Sequence, residues 1–99
     1  MMAAEPIQRY RAPGRLGFVI EESAVYLAHL PSGPIHVLGD GSAAIWIAAT
    51  DHARTTSVAE RVAELTALPL DEVEPFVEPF IEALLQGGLL EKWDSAPGG

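Results

Sequence analysis

The chain has 99 residues, of which 48% are hydrophobic, and its fourteen acidic and six basic residues give a formal net charge of −8. This length predicts one small domain with a modest core and little room for an enclosed active site. Residues 62–91 contain no Lys or Arg, so that part of the chain would repel nucleic acid, which proteins bind mainly by neutralising phosphates.

The chain contains no cysteine, which excludes disulfides and thiolate metal sites. Its N-terminal residues lack the basic-then-apolar pattern of a secretion signal. No apolar run is long enough to span a bilayer. We therefore expect a cytoplasmic protein with neither a membrane nor a nucleic-acid partner, and the charge favours a basic or neutral partner.

The N-terminal half predicts a flexible arm followed by three short antiparallel strands. Residues 1–13 lack periodicity and are expected to be loose. Strands are predicted over residues 16–20, 25–30 and 35–38, which are rich in β-favouring residues. The last two flank a Pro-Ser-Gly-Pro turn over residues 31–34. Pro34 has no N–H for a ladder hydrogen bond, so it suits the start of a strand or an edge strand.

The next segment predicts two helices. The residues Gly39-Asp40-Gly41 break the strand, and Ser42 or Asp40 is expected to cap a helix that is apolar on every face and therefore buried. Ser57 and Glu60 form a capping box for the second helix. Pro69 predicts that this helix ends near Leu68.

The third helix is predicted to begin at a cap formed by Asp71. Pro75 suits its first turns, whereas Pro79 predicts either a kink or a helix that begins nearer Glu78. Gly87 or Gly88 is expected to supply a left-handed C-cap. Leu89 and Leu90 should then fold back onto the core, and residues 94–99 are expected to form a disordered tail.

Several motifs could indicate a cofactor, metal or catalytic site, but a structural role explains each of them better. The Gly39-x-Gly41-x-x-Ala44 pattern is similar to a dinucleotide-binding fingerprint, but no second parallel strand follows it. The three histidines, His29, His36 and His52, lack metal-ligand spacing. Ser42 and Ser57 are better interpreted as helix caps than as nucleophiles. The acidic row Glu74, Glu78 and Glu82 is interpreted as a solvated helix face that can steer a basic peptide. We predict no catalytic residue, no metal and no cofactor.

Three segments carry a resemblance to a known family. They are residues 33–38 (Gly-Pro-Ile-His-Val-Leu), 41–46 (Gly-Ser-Ala-Ala-Ile-Trp) and 84–90 (Leu-Leu-Gln-Gly-Gly-Leu-Leu). In the order of a hairpin followed by three helices, they resemble the PqqD-like family of peptide-recognition domains from ribosomal peptide-modification pathways. The resemblance covers roughly residues 17–91, and the domain is expected over residues 14–93.

The resemblance implies an α+β fold of winged-helix type, with a three-stranded antiparallel sheet packed on three helices. It also implies that the leader segment of a precursor peptide adds as a strand beside the third strand, in a cleft bounded by the third helix. The residues implied are Ile35, His36, Val37 and Leu38 for main-chain pairing, and Phe76, Val77, Phe80, Ile81 and Leu84 on the helix.

The first functional hypothesis is a non-enzymatic chaperone that binds a leader peptide and presents it to a separate modifying enzyme or leader protease. A short edge strand supports it independently, because such an edge offers unpaired backbone groups for strand addition. The alternatives are a winged-helix DNA-binding regulator, which the acidic charge disfavours, and a small enzyme or cofactor carrier built on the Gly39-x-Gly41 turn. The oligomeric state, the peptide and the pathway are left open.

Overall fold

The computed structural model describes residues 8–22 and 24–93. The fold consists of a three-stranded antiparallel sheet of order β2-β3-β4, three helices, and a two-stranded sheet of β1 and β5. The predicted α+β class, with a three-stranded antiparallel sheet packed on three helices, is confirmed. No described helix is long and apolar enough to cross a membrane. The elements are β1 (Arg9–Arg11), β2 (Leu16–Glu21), β3 (Ala24–His29), β4 (Ile35–Gly39), α1 (Asp40–Thr50), α2 (Val58–Thr66), α3 (Leu70–Gln86) and β5 (Glu91–Trp93).

The central strand β3 anchors the sheet to the core through alternate residues. Val25 and Leu27 are fully buried, whereas Tyr26 between them points to the outer face and is exposed. In register, Leu27 lies between Phe18 and His36, and Tyr26 lies between two exposed valines on β2 and β4. Side chains alternate between faces along a strand, so one face of this sheet packs on the helices and the other is open.

The helix α1 is buried on nearly every side, as predicted, and Trp46 is its main core residue. The Trp46 indole Nε1–H donates to the carbonyl oxygen of Leu89 at 3.0 Å. This bond ties α1 to the turn that follows α3, since a buried indole N–H requires an acceptor.

The end of α3 has the predicted left-handed glycine cap, and the residue is Gly88, with φ of +74°. The N–H of Leu89 donates to the Leu84 carbonyl at 2.9 Å, and that of Gly88 donates to the Leu85 carbonyl at 3.2 Å. This pair of bonds is a Schellman motif. It directs Leu89 and Leu90 into the core, where both are buried, so the predicted fold-back is confirmed.

The predicted start of α1 was wrong in detail. The helix begins at Asp40, directly after β4, and neither Asp40 nor Ser42 makes a side-chain cap bond because the N-cap is Gly39. For α2 the capping box is confirmed: the Glu60 N–H donates to the Ser57 hydroxyl at 3.1 Å, and the Ser57 N–H donates to the Glu60 carboxylate at 3.0 Å. This helix ends at Thr66, because Ala67 adopts a left-handed conformation with φ of +61°.

The helix α3 runs unbroken through both of its prolines. It begins at Leu70 with Pro69 as N-cap, and Asp71 makes no cap bond. The alternative start nearer Glu78 is therefore wrong. Each interior proline removes one helical hydrogen bond, but packing supplies most of a helix's stability in a folded protein. The packed face consists of Val73, Val77, Ile81 and Leu84, all buried.

The expected flexible arm over residues 1–13 is partly replaced by a strand. Arg9–Arg11 pairs antiparallel with Glu91–Trp93, Tyr10 is buried, and Arg11 forms an ion pair with Glu91. Three-residue strands carry no periodicity, so neither was predicted. Residues 1–7 of the expected arm and the whole expected tail, 94–99, lie outside the described residues.

Candidate functional site

The strand β4 lies at one edge of the sheet and presents apolar side chains to the outside. It pairs with β3 on one side, and no described strand lies on the other. Ile35 is 70% exposed and Val37 is 59% exposed, whereas His36 and Leu38 are half-buried. Edge strands usually avoid exposed apolar residues, because an open edge is a template for pairing with another chain.

The hydrogen-bonding pattern shows which backbone groups of β4 are available. The Leu30 N–H donates to the Arg15 carbonyl at 2.8 Å. Because hydrogen-bonded pairs alternate along an antiparallel ladder, the backbone groups of the even-numbered residues of β3 bond to β2, and those of the odd-numbered residues bond to β4. With Leu27 opposite His36, and Val25 opposite Leu38, the backbone groups of His36 and Leu38 bond to β3.

The N–H and C=O groups of Ile35 and Val37, and the N–H of Gly39, therefore point away from the sheet. The Gly39 C=O belongs to α1 instead, because the carbonyl of an N-cap residue accepts the first helical hydrogen bond. The four predicted pairing residues thus divide into two kinds. Ile35 and Val37 offer backbone groups to an added strand, whereas His36 and Leu38 already use theirs within the sheet.

A large apolar cleft begins where β4 ends. It encloses about 940 Å³ between the start of α1, the end of α2 and one side of α3. Ile45 and Val62 line it from α1 and α2. Pockets of this size, lined mostly by apolar groups, are typical of ligand sites. Because Gly39 both lines the cleft and carries an outward N–H, the β4 edge leads directly into the cleft.

The five residues predicted on the third helix fall on two sides of it. Phe76, which is 69% exposed, and the half-buried Phe80 line the cleft. Val77, Ile81 and Leu84 are buried in the core and do not line this cleft. The structure therefore brings two of the five to the cleft.

Both interior prolines of α3 also line the cleft. Pro75 cannot donate to the Asp71 carbonyl, and Pro79 cannot donate to the Pro75 carbonyl, which removes the usual helical partner of each acceptor. Asp71 and Pro75 are themselves cleft residues, and Asp71 and Glu72 are the two acidic residues among those that line the cleft. The wall thus combines aromatic rings, two prolines and two acidic residues.

Sequence reasoning did not single out several of the residues that line the cleft. The four-residue spacing of Pro75 and Pro79 was a usable signal, because residues four apart share one face of a helix. The cleft-lining residues on α1 and α2 had no such signal in the sequence, because their position depends on how the helices pack. The lining residues not predicted are Gly39, Gly41, Ser42, Ile45, Val62, Thr66, Leu68, Asp71, Glu72, Val73, Pro75, Pro79 and Ala83.

A second, smaller cavity of about 490 Å³ lies on the other side of α3. It contains Tyr10 and Arg54, and Arg54 is only 3% exposed. The Arg54 guanidinium donates to the carbonyls of Ala48 at 3.1 Å, Gln8 at 2.7 Å and Thr56. These bonds fasten the start of β1 to the end of α1, which gives Arg54 a structural role.

Burial alters the pKa of Tyr10 and that of Arg54 in this cavity. It lowers the pKa of Arg54, and the positive charge of Arg9 lowers it further. Burial also raises the pKa of Tyr10, and the carboxylate of Glu78 adds to that effect. The neutral phenol is therefore favoured in the folded state.

The histidines and the Gly39-x-Gly41 turn form no metal or dinucleotide site in the described part of the chain. His29 and His36 meet edge to face with ring centroids 5.9 Å apart, but no group of three potential metal ligands occurs among residues 8–22 and 24–93. The Gly39-x-Gly41 turn joins an antiparallel edge strand to a helix, whereas a dinucleotide fingerprint requires a parallel sheet. Its glycines instead line the cleft.

Comparisons with family models, curated proteins and solved structures gave no match.

Proposed function

We propose that this protein binds the leader segment of a ribosomally made precursor peptide and presents it to a separate modifying enzyme or leader protease. The observation that carries the proposal is the continuity of the β4 edge with the apolar cleft at Gly39. Strand addition to such an edge draws affinity from main-chain hydrogen bonds and specificity from pockets for alternate side chains. The protein itself is proposed to do no chemistry.

The proposed binding mode follows the outward groups of β4. The outward groups run from Ile35 to Gly39, a span of about 13 Å that accommodates roughly five residues of an added strand. Side chains beyond Gly39 would enter the cleft between Phe76 and Phe80. An apolar anchor side chain there would contribute about 1.5–3 kcal/mol by burial, more than any single main-chain bond at about 0.5–1.5 kcal/mol.

Charge favours a particular kind of leader. Asp71 and Glu72 line the cleft, and residues 62–91 contain no Lys or Arg. A Lys or Arg next to the apolar anchor would meet carboxylates, together with the two carbonyls released by Pro75 and Pro79. Complementary charge of this kind mainly raises the association rate and the specificity.

The test is a titration of ¹⁵N-labelled protein with the candidate leader peptide. We expect amide shifts at Ile35, Val37 and Gly39 on β4, and at Phe76 and Phe80 on α3. Methylating the peptide nitrogens one at a time should weaken binding at every second position, because only alternate residues of an added strand bond to β4. Shifts confined to other parts of the chain, or an effect of methylation without alternation, would refute strand addition.

Two variants supply a matched pair for that titration. V37P removes an outward N–H from β4, whereas I20P removes one from the opposite edge, on β2. We expect V37P to abolish binding and I20P to leave it intact. Tight, salt-sensitive binding to duplex DNA without any response to peptide would instead favour the DNA-binding regulator.

A further inference from the structure

The second open edge of the sheet belongs to β2, and it is apolar and unprotected. Since the Arg15 carbonyl bonds to β3, the backbone groups of Leu16, Phe18 and Ile20 point away from the sheet. Phe18 and Ile20 are about half exposed, and no described strand covers them. Residues 16–21 contain neither Lys nor Pro, the usual protectors of an open edge.

We infer that two copies of this chain pair through β2, antiparallel, about a two-fold axis at Phe18. An axis perpendicular to the sheet keeps each face on its own side, so Phe18 lies opposite its copy and Leu16 lies opposite Ile20. Phe18 exchanges two hydrogen bonds with its copy, and each Ile20 N–H donates to a Leu16 carbonyl. The Leu16 N–H already donates to Pro13 at 3.0 Å, which ends the ladder there.

Charge complementarity selects this register. It places Arg15 of each copy opposite Glu21 of the other, and neither residue forms an ion pair elsewhere in the described part of the chain. The neighbouring registers that still pair the outward backbone groups separate these two side chains. Opposite charges directly across an antiparallel pair are stabilising, and like charges are destabilising.

The two-fold arrangement also closes on itself. Pairing β2 of one copy with β4 of another would leave an open edge at each end and continue into a filament. Pairing β2 with β2 instead produces a six-stranded sheet with one β4 edge at each end. The dimer therefore leaves both proposed peptide sites open. Its existence does not depend on the proposed function, so each proposal can fail without the other.

The contact is only one strand long, so the area it buries should be well below the roughly 1,200 Å² that a stable dimer usually buries. We therefore expect weak association that depends on concentration. Sedimentation equilibrium from about 10 µM to about 1 mM covers the range in which such a contact is populated. A protein that remains monomeric throughout this range would overturn the inference.

A charge swap tests the register. R15E and E21R each place like charges opposite one another twice, so each should weaken dimerisation by at least about fourfold. The double variant R15E/E21R restores the pairs and should restore the dimer. K92E changes the net charge as R15E does, but on β5, and should leave dimerisation unchanged. A dimer that is indifferent to the single variants, or not restored in the double variant, would overturn the proposed register.

The absence of cysteine permits a direct distance test. Residues facing each other in a hydrogen-bonded pair have Cα atoms about 5.5 Å apart, within the range of about 4.4–6.8 Å that a disulfide spans. F18C should therefore form a disulfide-linked dimer on mild oxidation. V19C should not, because Val19 lies opposite Gly17 in this register. Efficient crosslinking of V19C, or filaments that V37P suppresses, would contradict β2–β2 pairing.

Discussion

Truncation of Phe76 should separate peptide binding from folding. Phe76 leaves 69% of its surface exposed and lines the cleft, so F76A removes little that is buried in the free protein. Full burial of such a side chain contributes about 1.5–3 kcal/mol, and the exposed share of it is about 1–2 kcal/mol. If a bound leader covers the ring, F76A should weaken binding by about five- to thirtyfold.

The matched control is the next residue along the helix, because Val77 is buried in the core. V77A should lower the free energy of unfolding by about 1 kcal/mol or more, with peptide affinity retained in the fraction that is folded. Calorimetric titration of the leader peptide and urea denaturation of each variant measure both quantities. The reasoning is refuted if F76A binds like the parent protein, or if it destabilises the fold as much as V77A does.

Three further predictions concern the fold itself. W46F deletes the indole donor to the Leu89 carbonyl and should lower the free energy of unfolding by about 1–3 kcal/mol, measured by urea denaturation. S57A removes the capping box with Glu60 and should cost about 1 kcal/mol in the same assay, an expectation contradicted by an unchanged midpoint. Because the pKa of Tyr10 is raised above its ordinary 10.0, the folded state retains its proton where the unfolded state has lost it, so stability should fall as pH rises above 10.0. Y10F should remove that part of the decline, and an identical pH profile for Y10F would show that another group causes it.

Features with a strong local signal were predicted from the sequence. The strands around residues 16–38 have β-favouring composition, Ser57 and Glu60 satisfy each other within one turn, and the glycine pair after α3 permits a positive φ. Each of these signals is contained in a few neighbouring residues. The structure displaces their boundaries by only one or two residues.

Features that depend on distant partners were not predictable in the same way. Arg9–Arg11 and Glu91–Trp93 are too short to form strands alone and exist because they pair with each other, with Arg54 holding the preceding residue. The division of α3 between core and cleft is of the same kind. Phe76 and Val77 are both apolar neighbours within a wide stripe, and only the positions of α1 and α2 decide which of them is buried.

The prolines of α3 show how packing in the core can stabilise a helix that its own sequence would disfavour. Each interior proline is unfavourable by about 3 kcal/mol in an isolated helix, yet α3 continues through both because Val77, Ile81 and Leu84 are buried in the core on its other side. Pro75 and Pro79 both line the cleft, and we propose that the carbonyls they leave without a helical partner accept hydrogen bonds from the bound peptide. Replacing both by alanine should stabilise the helix while withdrawing those acceptors. A cleft built for a peptide with a basic residue should then bind that peptide less tightly, although the protein itself is more stable.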